Sequence, residues 1–508
     1  METHFLIEPK HWLSAHQYLA QQSGPVDALI EKSLSAGREK VIWLYPVSST
    51  SVYYIEGLYR IAEAHGFTFK IETNGDLNDR ELAFLQDFQR HCLKVSDEAP
   101  TEALGIRDYV AAAKEVLDAI FRGLLPRAAI TQETRSYKKV VVIGAYGGDH
   151  VGDAGILGGV LLTLNKTFGT THATVMSHRP EHTRRLASGL VTPVEVDVRY
   201  YDAATTDKAL ADASALVLAG GPLMDLPRVL LKHLSAAYRA RSLGLPFIIE
   251  RVGIGPFKRE VSKQLATKLI EEAREISVRS TGAAKDPVLK GRMVRTGLDP
   301  AFDYLASRTE LSRVNTHSIA EVDALLENRK GRPLIGVNLR PIRHSWASAG
   351  ADYAKQAEDR FTQHLADALA AASDLAPQKP IFVFFPMNPI QFGMSDLLAA
   401  VRLQKALNGR AEMRVWQADP EVDDVLMFLR KMDAVVAMRL HACIFTASQN
   451  KPLFGIDYYP GDGGKVEQLF SDLGKPEHAR RIDTFEPQWL TQHLLSVINS
   501  YNQSREIA

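Results

Sequence analysis

The segment Asp433-Ala-Val-Val-Ala-Met-Arg-Leu-His-Ala-Cys-Ile-Phe445 carries the densest chemistry in the chain: Arg439 and His441 follow an apolar run and open a helical one. A cation and a titratable imidazole at a strand end suit anion binding combined with proton transfer. Further on, Asp462-Gly-Gly-Lys465 sets another cation after the next apolar run. Gly144-Ala-Tyr-Gly-Gly-Asp-His-Val-Gly-Asp-Ala-Gly-Ile-Leu157 reads as a glycine-rich turn from strand to helix. Its glycines, Gly152 among them, let the backbone approach a ligand, and the amides of the helix start attract a phosphate or carboxylate. Asp153 in that turn is either a helix cap or a base. The spacing matches neither the dinucleotide fingerprint nor the phosphate loop with its Lys-Ser/Thr, so NAD and ATP are not indicated. Ala219-Gly-Gly-Pro-Leu-Met-Asp225 repeats the device, with Gly220 and Gly221 at the turn and Asp225 opening the next helix. Arg279, closing Ile276-Ser-Val-Arg279, suits a bidentate clamp on phosphate or carboxylate, with a surface ion pair as the plainer role. The sequence holds no HExxH, no paired CxxC and no acidic cluster with metal-ligand spacing. No metal or cofactor is therefore called for, and a divalent ion bridging the ligand is left open.

The elements that position these residues follow from hydrophobic periodicity. From Val140 onward, short β-branched runs alternate with helical segments, the pattern of βαβ units on a parallel sheet. Expected strands are Val140–Ile143, Ala173–Met176, Val194–Tyr200, Ala215–Ala219, Phe247–Glu250 and Ile276–Arg279. The alternation restarts at Leu334–Leu339 and continues through Ile381–Phe385, Met413–Trp416, Ala434–Ala437 and Leu453–Ile456. Helices are expected at 353–374, 394–407, 421–430 and 440–449. The fold class is therefore α/β, with two tandem Rossmann-like domains over residues 136–310 and 311–508. Ligands of such sheets bind beyond the carboxyl ends of the strands, so a cleft between the halves is the expected site. Residues 1–135 form an N-terminal extension, α/β or mostly helical, with strands near 40–45 and 67–71, a helix over Ser51–Gly66 and helix through most of 78–125. Leu490, Leu494, Leu495 and Ile498 form an apolar stripe on a C-terminal helix over 488–502, expected to pack across the domain seam.

Composition narrows the function. The 508 residues hold 60 Lys+Arg against 60 Asp+Glu, which leaves no cationic excess for gripping nucleic acid. At 45% hydrophobic and 24% charged the chain is an ordinary globular one, long enough for about three domains. Two cysteines, Cys92 and Cys443, are too few for a disulfide framework, which favours the cytoplasm. No secretory signal or membrane-spanning run is read, so any membrane contact would be peripheral, at the inner face. The sequence leaves a homo-oligomer open.

Taken in order, the motifs resemble the polysaccharide pyruvyl transferase family over residues 138–475. They are Gly144–Leu157, the Gly-Gly…Asp turn at 220–225, Gly253-Ile-Gly-Pro256, Ser277-Val-Arg279, Asp299-Pro-Ala-Phe302, Gly336-Val-Asn-Leu-Arg340, Phe385-Pro-Met-Asn-Pro389 and Met438-Arg-Leu-His441. The resemblance implies a fold similar to the glycosyltransferase B architecture, with the first domain on the acceptor side and the second on the donor side. It also implies a reaction in which phosphoenolpyruvate places a pyruvate ketal on a sugar acceptor. Arg279, Arg439, Lys465 and Arg340, with Gly152, Gly220 and Gly221, would then hold the donor. His441 would be the general acid, and Asp153 or Asp225 would orient or deprotonate the acceptor hydroxyl. A nucleotide-sugar glycosyltransferase is the competing class, because one scaffold hosts many chemistries. A binding protein without catalysis is the third.

Overall fold

A computed structural model describes residues 41–44, 68–71, 116–129, 136–147, 150–342, 351–388, 396–416, 420–459 and 464–506. The expected helices over Ser51–Gly66 and most of 78–125 lie outside the described residues. In the extension, β1 (Val41–Leu44) pairs in parallel with β2 (Thr68–Ile71). Helix α1 spans residues 116–124. The chain divides into two compact units, one of Asp97–Leu311 and the other of Met1–Ser96 with Ser312–Ala508.

The first α/β domain is one parallel sheet. Its elements are β3 (Lys139–Ile143), α2 (Val151–Phe168), β4 (His172–Ser177), α3 (Pro180–Ser188), β5 (Glu195–Tyr200), α4 (Ala203–Ala211), β6 (Ala215–Ala219), β7 (Pro222–Leu223), α5 (Pro227–Ser242), β8 (Phe247–Ile254), α6 (Glu260–Glu272), β9 (Glu275–Val278), α7 (Thr281–Ala284), β10 (Arg295–Thr296) and α8 (Ala301–Ser307). The strand order is β10-β9-β8-β6-β3-β4-β5, with β7 added beside the far half of β8. Strands β3 and β6 are buried at nearly every position, as expected of central strands covered on both faces. Arg122 of α1 is held in this unit by Asp207, at 2.6 Å, and by Asp118.

Strand β8 runs four residues past its expected end. The apolar run stops at Glu250, but a bulge between Ile249 and Val252 absorbs Arg251 in a left-handed conformation, φ 46°. Pairing then resumes through Ile254.

The second domain comprises α9 (Thr316–Leu325), β11 (Leu334–Asn338), α10 (Ala351–Leu375), β12 (Ile381–Phe384), α11 (Asp396–Leu407), β13 (Met413–Val415), α12 (Val422–Lys431), β14 (Ala434–Ala437), α13 (Leu440–Ser448), β15 (Leu453–Asp457), α14 (Lys465–Asp472), β16 (Ala479–Arg481) and α15 (Pro487–Glu506). Its order, β13-β12-β11-β14-β15-β16, is again wholly parallel. In each sheet the strand that comes first in its domain's chain order lies in the middle. The chain winds outward on one side of it, then crosses to the other. That reversal makes a topological switch point, at β3/β6 in the first domain and β11/β14 in the second, where the strand-end loops diverge and leave room for a ligand.

The C-terminal helix α15 buries Leu490, Leu494 and Ile498 completely within the second domain. Thr491 donates its hydroxyl to the Ala368 carbonyl of α10 at 3.2 Å, so the apolar stripe covers its own domain's core.

Candidate functional site

At the first switch point the two strand-end loops touch backbone to backbone. Ala145 donates its amide to the Gly220 carbonyl at 2.9 Å, and a side chain at Gly144 would collide with the Ala219 carbonyl. Gly220 (φ 80°) and Gly221 (φ 111°) turn the chain through conformations that residues with a Cβ rarely adopt. The Tyr146 ring covers Gly220, so any side chain there would strike the phenol. The Tyr146 hydroxyl is buried and, among the described residues, accepts and donates no hydrogen bond. Burial, reinforced by the charge of Asp153, pushes the phenol up and keeps it protonated.

Helix α2 starts at this loop. His150 is its cap, Nδ1 accepting the Gly152 amide at 2.8 Å, so a neutral His150 ring carries its proton on Nε2. Gly152 therefore spends its amide on the cap. Asp153 stands in the first turn, half-buried, where the helix dipole favours its negative charge. Asp225 does not open a helix. Its Oδ2 accepts the Lys258 and Arg259 amides at 3.1 and 3.2 Å, which pins the loop before α6. Burial raises its carboxyl, but hydrogen bonds from Ser262 and those two amides outweigh it and hold the group below the usual carboxylate range.

Arg279 follows β9 directly. Its Nη1 donates to Asp299 Oδ2 at 2.8 Å, with the two side chains 9% and 6% exposed, so the ion pair is buried rather than superficial. Asp299 Oδ1 accepts the Ala301 amide at 3.0 Å and so anchors the start of α8. The guanidinium lies flat against Gly253, where an added Cβ would stand 3.0 Å from Nε. The β8 bulge brings Gly253 into that position. Beside β4 and β5, the Tyr201 hydroxyl meets His233 Nδ1 at 2.9 Å, and burial pushes His233 down to about 3.

The second switch point is built from charge. Met438 donates to the Asn338 carbonyl at 2.8 Å, and the next amide, that of Arg439, donates to Asn338 Oδ1 at 3.3 Å. Arg439 is the N-cap residue of α13, and its own side chain makes no cap hydrogen bond to that helix. Its guanidinium does not lie open to solvent: Nε donates to Asp396 Oδ1 at 2.6 Å, and the residue is 4% exposed. His441 stands in the first turn of α13, half-buried. Arg340 is buried after β11 with its guanidinium 4.8 Å over the Tyr458 ring.

Lys465 is exposed at the first position of α14. The amides of that helix start are already taken. Asp457 Oδ2 accepts Val466 and Glu467 at 2.8 and 3.0 Å, and Oδ1 accepts Tyr459 at 2.8 Å. Gly464 is required there because any Cβ would run into this carboxylate. Burial raises the Asp457 carboxyl against the three amide bonds that oppose it.

Each expected site residue thus sits at a carboxyl end of its own sheet. The first face gathers Gly152, Asp153, Gly220, Gly221, Asp225 and Arg279; the second gathers Arg340, Arg439, His441 and Lys465. Sequence reading missed Tyr146, Asp396 and Asp457. The usable signal for Asp396 was Arg439 itself, because an arginine after a fully apolar strand needs a carboxylate within the same buried layer. Among the described residues no group of three or more His, Cys, Asp or Glu could hold a metal ion, and no helix is long and apolar enough to cross a membrane.

Solved structures similar to the chain are found at low identity. UDP-GlcNAc 2-epimerase from Neisseria meningitidis is 12% identical, with 72% of this chain and 92% of that one covered and a TM-score of 0.46. ADP-heptose LPS heptosyltransferase II from E. coli is 15% identical, covering 72% and 99% with a TM-score of 0.38. No curated protein matches the sequence. The family model described as polysaccharide pyruvyl transferase matches residues 146–459, which is more than half of the chain. The chain belongs to the polysaccharide pyruvyl transferase family.

Proposed function

We propose that the protein transfers pyruvate from phosphoenolpyruvate to a sugar of a polysaccharide, or of its lipid- or nucleotide-linked precursor, as a cyclic ketal. The observation that carries this reading is the head of α13: a helix start at a switch point, with Arg439 as its N-cap residue and His441 in its first turn. Such a start attracts an anion through its amides, and the imidazole beside it supplies a proton.

In this mechanism the donor's anionic groups bind at the head of α13, with Arg340 and Lys465 of the same domain as further cations of the donor site. One sugar hydroxyl adds to C2 of the enol phosphate while His441 protonates C3, which becomes the methyl group. A second hydroxyl then attacks the same carbon, the C–O bond to phosphate breaks, and inorganic phosphate leaves. Of the two hydroxyl protons, one restores the imidazolium and the other departs with phosphate. Asp225 is set aside as acceptor base, because its carboxylate is engaged by the loop before α6. Preformed donors around the departing phosphate would supply the electrostatic part of catalysis. We place the reaction in the cytoplasm or at the inner membrane face, consistent with a free, buried Cys443.

The rival reading, a nucleotide-sugar glycosyltransferase, needs a seat for a diphosphate. The head of α14 does not provide one, because Asp457 fills it. Isothermal titration with phosphoenolpyruvate and, in parallel, UDP-sugars tests the choice. Binding of phosphoenolpyruvate that is lost in His441→Ala and weakened in Lys465→Ala is the expected result; binding of a UDP-sugar alone would sink it.

A further inference from the structure

Arg439 and Asp396 form an ion pair with side chains 5% and 0% exposed. Nε and Nη2 of the arginine reach the same carboxylate oxygen, Oδ1, at 2.6 and 2.5 Å. The other oxygen, Oδ2, accepts the Met387 amide at 2.9 Å, the Asn388 amide at 3.2 Å and Asn338 Nδ2 at 3.4 Å. Asn338 also donates to the Phe385 carbonyl at 2.9 Å. One carboxylate therefore ties together the ends of β11, β12 and β14 and the starts of α11 and α13.

A pair this deep adds little net stability, because desolvation cancels most of the attraction. What it supplies is geometry, and it supplies it where the helix bearing His441 begins. It also settles the local charge. Asp396 neutralises Arg439, so the pull on an anion at the head of α13 comes from the helix amides and from His441.

We propose that Arg439 and Asp396 are a neutral pair of positioning residues, and that the arginine of the Arg-Leu-His motif fixes the start of α13 without touching the donor. This deepens the pyruvyl-transfer reading and rests on it, since it states which residue of the motif contacts phosphoenolpyruvate.

The test uses the full-length protein, titrated with phosphoenolpyruvate and with inorganic phosphate, as wild type, Asp396→Asn, and Asp396→Asn with Arg439→Gln. The single variant strands a buried arginine, so its melting temperature should fall and its donor Kd should shift about fivefold or more. In the double variant a neutral amide pair replaces the ion pair, and the Kd should return to within about threefold of wild type. A loss of about tenfold or more in a double variant that melts like wild type would mean that Arg439 is a donor ligand, and would overturn the proposal. A single variant with unchanged Kd would also overturn it, leaving the pair a purely structural role.

Should the double variant not fold, the wild-type protein still decides. On addition of phosphoenolpyruvate, the Arg439 Nε–H NMR signal should hold its position while the His441 ring signals move; equal movement of both would refute the positioning role. Wild-type protein that binds neither phosphoenolpyruvate nor phosphate overturns the functional reading itself, and the positioning role with it.

Discussion

The two domains share a strand order, and both place their candidate residues at the point where it reverses, yet they build that point from different materials. In the first, Gly144, Gly220 and Gly221 let two loops meet backbone to backbone under the Tyr146 ring. In the second, strand ends of the same topology are joined by the buried Asn338–Asp396–Arg439 network. A seam closed by packing offers shape and a half-buried carboxylate, Asp153, which suits a neutral polyhydroxyl ligand. A seam closed by charge fixes one helix start, that of α13, beside a half-buried imidazole. The difference teaches that one topology can close the same junction with two kinds of local chemistry.

The contrast is broken most directly at His441. His441→Ala should lower turnover by about 10²-fold or more while far-UV circular dichroism stays unchanged. Full activity in that variant would remove the second switch point from catalysis. Next in size is Gly220→Ala, which meets both a left-handed φ and the Tyr146 phenol and should cost about 2–4 kcal/mol in denaturant unfolding. A glycine inside a strand of the other domain, Gly336→Ala in β11, meets Val435 at 3.2 Å with no unfavourable φ and should stay within about 1 kcal/mol. Similar costs at the two positions would erase the distinction between a packed seam and a charged one.

Acidity should also separate the domains. Native His233 stays neutral down to about 3, whereas the unfolded chain takes up that proton below 6.5. Stability from this group is therefore complete above 6.5 and is lost as pH falls toward 3, by at most about 1.4 kcal/mol per pH unit. Asp457 has the opposite sign. Its raised carboxyl binds a proton in the native state where the unfolded one, at 3.8, has released it, so its contribution is present below 3.8 and is lost as pH rises through the native value. Melting curves against pH should flatten on the acid side in His233→Gln and change in the reverse sense in Asp457→Asn. The smallest effect is expected for Tyr146→Phe, which deletes a hydroxyl without a partner and should leave stability within about 1 kcal/mol.

Much of this architecture was legible in the residues. Ala215–Ala219 and Ala434–Ala437 are observed with the limits that their apolar runs imply, because a strand buried on both faces has no polar interruption to blur it. Strand β8 was cut short by Glu250 and Arg251, which the bulge accommodates, and β7, β10 and β16 are two or three residues long and carry no periodicity. The motifs were legible as local strings, but their partners were not. Asp299 lies 20 positions from Arg279 and Asp396 lies 43 from Arg439, on other elements, and only the folded sheet brings them together. Hence the arginines read as open clamps, whereas burial required each to bring its own carboxylate.

The switch points also set a timetable. Among the described strand pairings, Val140 with Ala215 and Ile335 with Ala434 span the greatest separations in their sheets. Each central strand emerges early and waits for a neighbour made after two intervening strands and their helices, and closing that span carries the largest entropic cost of any strand pairing in its sheet. Pulse-labelled hydrogen exchange during refolding should therefore find the β3/β6 and β11/β14 amides protected after those of β4/β5 and β12/β13. The candidate residues on the two strand-end loops of each domain therefore come together only once its longest-range pairing has formed.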